Sequence, residues 1–145
     1  MNKEILISIY PSYLRQIREG IKNFEFRPFK LDSGSKEFIY MWVYETRPIM
    51  AINTLLLVKN PIVDLEKSIT GNYGLGEQEF VKNVNNNRYA YEIIKVYNLK
   101  YPILLSDMKK LGIYNAPQNY LILNKYKHLF NRLSVEKKEF ILNDI

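Results

Sequence analysis

Four residues within eight positions carry the charge types that bind or transform a polar ligand: Gly20, Lys22, Glu25 and Arg27, in the stretch GIKNFEFR. Lys22 is a compact cation suited to phosphate, and burial would lower its pKa and turn its amine into a base or nucleophile. Glu25 is an acceptor for an exocyclic amine. Arg27 is a planar donor fork that either holds Glu25 in place or grips phosphate through two parallel bonds. The ordinary alternative is a Lys-Glu-Arg network on a strand surface, which contributes little energy. Parity constrains the choice, because in a regular strand Asn23, Glu25 and Arg27 share one face while Lys22 points with Phe24 and Phe26 to the other. Lys22 joins Glu25 only from the turn after Gly20 or at a bulge, so strand pairing is expected to begin after Lys22.

The elements that must position these side chains are legible in the flanking pattern. ILISIY, residues 5 to 10, is short and β-rich and reads as a buried strand. Pro11 opens a helix in which Tyr13, Leu14, Ile17 and Ile21 recur at helical spacing, and Gly20 suits the left-handed position past its end. FIYMWVYET, residues 38 to 46, is a strand with Phe38, Tyr40, Trp42, Tyr44 and Thr46 on one face. Arg47-Pro48 interrupts it, and IMAINTLLLV returns as its hairpin partner. TGNYGLGEQEFVKNV predicts a glycine-rich turn and a short helix before the Asn85-Asn86-Asn87 loop, and RYAYEIIKVYNL, residues 88 to 99, is a further long strand. Ser106 is expected to cap a short helix that Gly112 ends, APQNYLIL returns to β, and Ser134 is expected to cap a last helix. Strands outnumber helices, so the fold class is α+β, a small barrel flanked by helices rather than a doubly wound sheet.

Composition narrows the chemistry. The 145 residues, 47% of them hydrophobic, fit one domain with its own core. No cysteine is present and there is one histidine, His128, so thiolate chemistry and multi-histidine metal clusters are excluded and neither metal nor cofactor is expected. His128, between Lys127 and Leu129, reads as a helix-surface residue. No apolar run reaches the roughly 18 residues of a membrane span, and the expected location is the cytoplasm, without membrane contact. The abundance of Asn, Lys, Ile and Tyr points to a bacterial or phage coding sequence. A net charge of +6 spread along the chain favours phosphate-bearing or acidic partners. Neither a dinucleotide loop around Gly71, Gly74 and Gly76 nor a Ser-His-Asp set is recognisable.

The G-x-K-x-x-E-x-R spacing of Gly20, Lys22, Glu25 and Arg27 resembles the opening motif of the ASCH family in the PUA-like superfamily. TGNYGLGEQEF, RYAYEI and YNAPQNYLIL are similar to its later segments, in order, the last to the A-P-Q-[SN]-[FY] ending of a bacterial and phage subgroup. The resemblance covers residues 5 to 123. It implies a mostly antiparallel β pseudo-barrel with short flanking helices, as a domain over residues 1–123 with a helical C-terminal extension, 124–145, packed on it. It also implies RNA or nucleotide binding, or, as in some small members, hydrolysis of acetylated cytidine nucleosides. The chain departs from those hydrolytic members, which have threonine where Glu25 stands, and Glu77 and Glu79 are no secure counterpart of their further carboxylate.

The expected site therefore comprises Lys22, Glu25 and Arg27, with Lys22 and Glu25 catalytic if the protein is an enzyme. Tyr10, at a strand-helix junction, and Tyr44, Thr46 and Arg47, at a strand end, are aromatic and polar candidates for the same cleft. Gln118 and Asn119 carry amides able to read a base edge, though such residues more often satisfy the backbone of a turn. Three functions stay open: an RNA- or nucleotide-binding module, a small hydrolase of a modified nucleoside or RNA, and an accessory module that binds a protein partner.

Overall fold

The computed structural model describes residues 4–31, 38–61 and 89–143. The segment with TGNYGLGEQEF, Glu77, Glu79 and the asparagine loop lies outside them. β1 (Glu4–Ile9) leads through Tyr10 into α1 (Pro11–Arg18), where proline occupies the first turn and its missing N–H costs nothing. Gly20 takes φ 77° just past the helix, a conformation that a side chain would strain. β2 (Phe24–Arg27), β3 (Phe38–Glu45), β4 (Ala51–Lys59) and β5 (Tyr89–Leu104) follow. α2 (Leu105–Lys110), the two-residue β6 (Leu121–Ile122), a 3-10 turn and α3 (Lys127–Asn143) complete the described chain.

The six strands form one sheet in the order β2-β5-β4-β3-β1-β6, curled into a half-barrel. β1 and β3 run parallel, and the other pairs are antiparallel. The class is α+β, as the sequence predicts. Alternation divides the side chains between two cores. On the concave side Ile5, Ile7, Ile9, Met41, Val43, Leu56 and Tyr91 pack with Leu14 and Ile17 of α1. On the convex side Leu6, Trp42, Tyr44 and Leu55 pack under Met108 of α2 and Leu129 and Leu133 of α3. Among the described residues no helix is long and apolar enough to cross a membrane.

Several local expectations are corrected. Tyr13 and Ile21 are 50% and 46% exposed, so the buried stripe of α1 is only Leu14 and Ile17. Ser106 lies inside α2, whose cap is Leu104 without a side-chain bond. Ser134 lies inside α3 and donates its hydroxyl back to the Phe130 carbonyl, 2.8 Å, the bond a mid-helix serine makes when its own residue already continues the helix.

α3 is fixed by charge as well as by its apolar stripe. Glu136 accepts from the Lys100 and Tyr101 amides, at 3.2 and 2.9 Å, giving partners to backbone donors in β5. Glu4, 3% exposed, accepts the Trp42 indole N–H at 2.9 Å through Oε1 and the Lys137 ammonium through Oε2. Lys137 also lies over the Tyr40 ring, 4.5 Å from its centroid. Both oxygens of a buried carboxylate are thus satisfied by convex-side groups. Replacing Glu4 with alanine would strand the indole N–H and the ammonium together. Glu4→Ala should lower unfolding free energy by about 3 kcal/mol in urea titration, whereas the exposed Lys138→Ala should leave the midpoint nearly unchanged.

Candidate ligand-binding site

β2 and β1 lie toward opposite ends of the strand order, yet one side chain joins them. Arg27 donates through Nη2 to the Ser8 carbonyl of β1, 2.7 Å, and through Nε to Glu25 Oε1, 3.0 Å. β6 pairs with β1 only at Ile5 and Leu6, so beyond that point Arg27 supplies the donor that meets the edge of β1. Glu25 and Arg27 sit opposite Tyr91 and Tyr89 in the β2-β5 register, on the concave side with Tyr91. Glu25 is 6% exposed, and its Oε2 is buried without a hydrogen-bond partner among the described residues. Tyr91 backs the pair and anchors the chain after β2, donating to the Phe29 carbonyl and accepting from the Leu31 amide. Burial pushes its phenol up to about 12, against a smaller opposing effect of the Leu31 bond.

Lys22 precedes β2, and its amide bonds to the Gln16 carbonyl, so pairing does start after it. Its ammonium is 4.7 Å from the centroid of the Phe26 ring. Phe26 alternates with Glu25 along β2, so the cation lies on the other side of the strand from the carboxylate. The expected joining of Lys22 with Glu25 is therefore corrected: the turn position did not bring the side chain to the carboxylate, and it lies beside the Phe26 ring.

The remaining candidates scatter. Tyr10 is 64% exposed, with its ring tilted against Tyr13 at 6.0 Å between centroids. Tyr44 is 3% exposed in the convex core, a correction to its placement in an open cleft. Burial raises its phenol pKa, and the nearby Arg47 charge opposes the rise. Thr46 is half-buried in the turn before the cis Arg47-Pro48 peptide, its amide bonded to the Ile9 carbonyl. Arg47, Gln118, Asn119 and His128 are exposed. The Ala-Pro-Gln segment nevertheless touches the Arg27 cluster through the backbone, because Ser8 Oγ donates to the Pro117 carbonyl at 2.7 Å.

A second polar cluster was not anticipated. Arg18, at the end of α1, donates to Thr54 Oγ1 of β4 at 2.6 Å and to Asn98 Oδ1 of β5 at 3.1 Å, and Nη1 lies 3.6 Å from Glu45 Oε1 of β3. Asn53 donates to the same Glu45 oxygen at 2.7 Å, and Thr54 donates to Asn53 at 2.9 Å. Pro11, Arg15, Arg18, Glu19 and Glu45 line an open surface depression of about 470 Å³ at one side of this cluster. The available signal was the pair Asn53-Thr54 inside the apolar run IMAINTLLLV, polar groups that a central strand can bury only with partners.

No family model matches the chain, and no curated protein matches it. Solved structures do. A crystal structure of a mutant ZmASCH protein from Zymomonas mobilis superposes with a TM-score of 0.67 at 23% identity, covering 92% of this chain and 96% of that one. A second mutant gives 0.64 at 22% identity over 88% and 94%, and the unmutated ASCH protein 0.63 at 23% over 83% and 87%. This chain has the ASCH fold.

Within that ASCH fold, the Arg27 fork ties β2 to β1, and the Tyr91 phenol ties β5 to the chain after β2. Arg27→Lys keeps the charge but not the geometry that reaches two acceptors at once. It should cost about 2 kcal/mol in chemical denaturation. Tyr91 keeps its proton in the native state where the unfolded chain, with a phenol near 10, has lost it. Its contribution to stability is therefore complete below pH 10 and is lost as pH rises from 10 to about 12. Melting curves across that window should fall more steeply for wild type than for Tyr91→Phe.

Proposed function

We propose that the ASCH-type module binds single-stranded RNA or a nucleotide, with Glu25 as a fixed acceptor for the N–H donors of a base. The observation that carries this reading is the Glu25 oxygen that is buried without a partner among the described residues. An orphaned buried acceptor is costly, and a donor brought by a ligand repays that cost. Arg27 holds the other oxygen, so the free one is presented in a set direction. The net charge of +6 adds long-range attraction for a phosphate backbone. Lys22, beside Phe26, serves this reading as a phosphate contact rather than as a base working with Glu25. The separation of Lys22 from Glu25 favours a binding module over the hydrolase, whose proton transfers need the two groups within hydrogen-bond reach.

Fluorescence anisotropy with a short cytidine-rich RNA tests the proposal. Wild type should bind with affinity that falls as salt rises, and Glu25→Gln, which puts an amide donor where the free oxygen stood, should weaken binding roughly tenfold. Lys22→Ala should lower the salt slope by about one. Affinity independent of both salt and Glu25 would overturn the reading.

A further inference from the structure

Glu25 Oε2, the acceptor of the binding proposal, is buried, and the Glu25 side chain as a whole is 8% exposed. A ligand donor reaches that oxygen only after a neighbouring contact parts. Most of the sheet offers no contact that parts easily, because along the order β2-β5-β4-β3-β1-β6 each strand is held to the next by backbone hydrogen bonds. Between the two ends the closure differs in kind. Among the described residues no ladder pairs β2 with β1 or β6, and side chains cross the seam instead.

Two of these crossings are defined by their geometry. Arg27 of β2 donates to the Ser8 carbonyl of β1 at 2.7 Å. Beyond it the ring of Phe29, just past β2, meets the ring of Tyr120, just before β6, with centroids 4.5 Å apart and planes tilted by 51°. Each rim is anchored to its own side: the Tyr91 hydroxyl holds the Phe29 carbonyl and the Leu31 amide, and Ser8 Oγ holds the Pro117 carbonyl in the segment that leads to Tyr120. A ring pair and a single hydrogen bond are weaker than a row of ladder bonds, so the half-barrel opens along this seam at lower cost than between paired strands. Glu25 stands on that line, since its Oε1 shares the Arg27 fork that crosses it.

We infer that the seam between β2 and β1 is a gate: Phe29 and Tyr120 separate, and Glu25 is uncovered while the rest of the sheet stays paired. As a route for a ligand the gate rests on the reading of Glu25 as an acceptor, whereas the opening itself is measured without RNA. Phe29 and Tyr120 act in it as a closure and not as a stacking platform.

The chain has no cysteine, so a thiol placed at one position reports on that position alone. Glu25→Cys, and Ala51→Cys as a reference buried at the start of β4, are labelled with an aromatic disulfide reagent in native buffer. Tyr120→Ala or Phe29→Ala should raise the labelling rate at position 25 about tenfold relative to position 51, whose thiol is reached through wider unfolding and follows global stability alone. Equal acceleration at both positions, or none at position 25, would overturn the gate. Fluorescence anisotropy with the cytidine-rich RNA gives a second readout. Tyr120→Ala should tighten binding, because a larger fraction of the chain is open, where loss of a base-stacking ring would weaken it. Weaker binding by Tyr120→Ala would therefore also overturn the gate. A wild type that binds no RNA while position 25 responds as stated would remove the Glu25 reading and leave the gate standing.

Discussion

The bond from Arg27 to the Ser8 carbonyl is the constraint on which the arrangement of the concave side depends. A curled sheet of six strands has two edges, and each presents unpaired backbone groups. β2 is four residues long and β6 two, so neither covers much of its neighbour. The Arg27 guanidinium reaches from β2 to β1 because its fork serves a carbonyl and a carboxylate together, and its side chain is only 13% exposed. Arg27 spans from β2 to β1, and Glu25 beside it keeps one buried carboxylate oxygen without a hydrogen-bond partner among the described residues.

The Arg18 cluster repeats this logic on other strands. There a helix arginine crosses β3, β4 and β5, engaging Glu45, Thr54 and Asn98, and holds α1 against the sheet. In both places the arginine engages a single oxygen of the glutamate. Buried ion pairs add little net stability once desolvation is counted, so their value lies in orientation more than in energy. The Glu4 carboxylate on the convex side differs in kind, because indole and ammonium take both of its oxygens. That cluster ties α3 to the first strand, and with the bonds from β5 amides to Glu136 it makes α3 the cover of the convex core.

Much of the architecture is readable from local pattern. The six strands, the helix starting at Pro11 and the glycine stops follow from strand-forming runs and alternation, from proline's fixed geometry and from the left-handed freedom of Gly20 and Gly112. Ser106 and Ser134 misled because serine caps a helix only where the chain has not already entered it, and the entry points are set by packing of Met108, Leu129 and Leu133. Tyr44 was legible as a sheet residue but not as core, since alternation says which residues share a face and not which face another element covers.

For the site, the sequence by itself determined that Glu25 and Arg27 share a face, that Lys22 stands outside the strand, and that polar residues interrupt the apolar run of β4. Only the tertiary structure decided that Lys22 lies over Phe26, that Arg27 ends at Ser8 and that Arg18 meets three strands. The physical reason is range. Side-chain parity is a property of a few consecutive residues, whereas the partner of a guanidinium or a carboxylate is chosen by the curl of the whole sheet, which brings residues nineteen and eighty positions apart within hydrogen-bond distance.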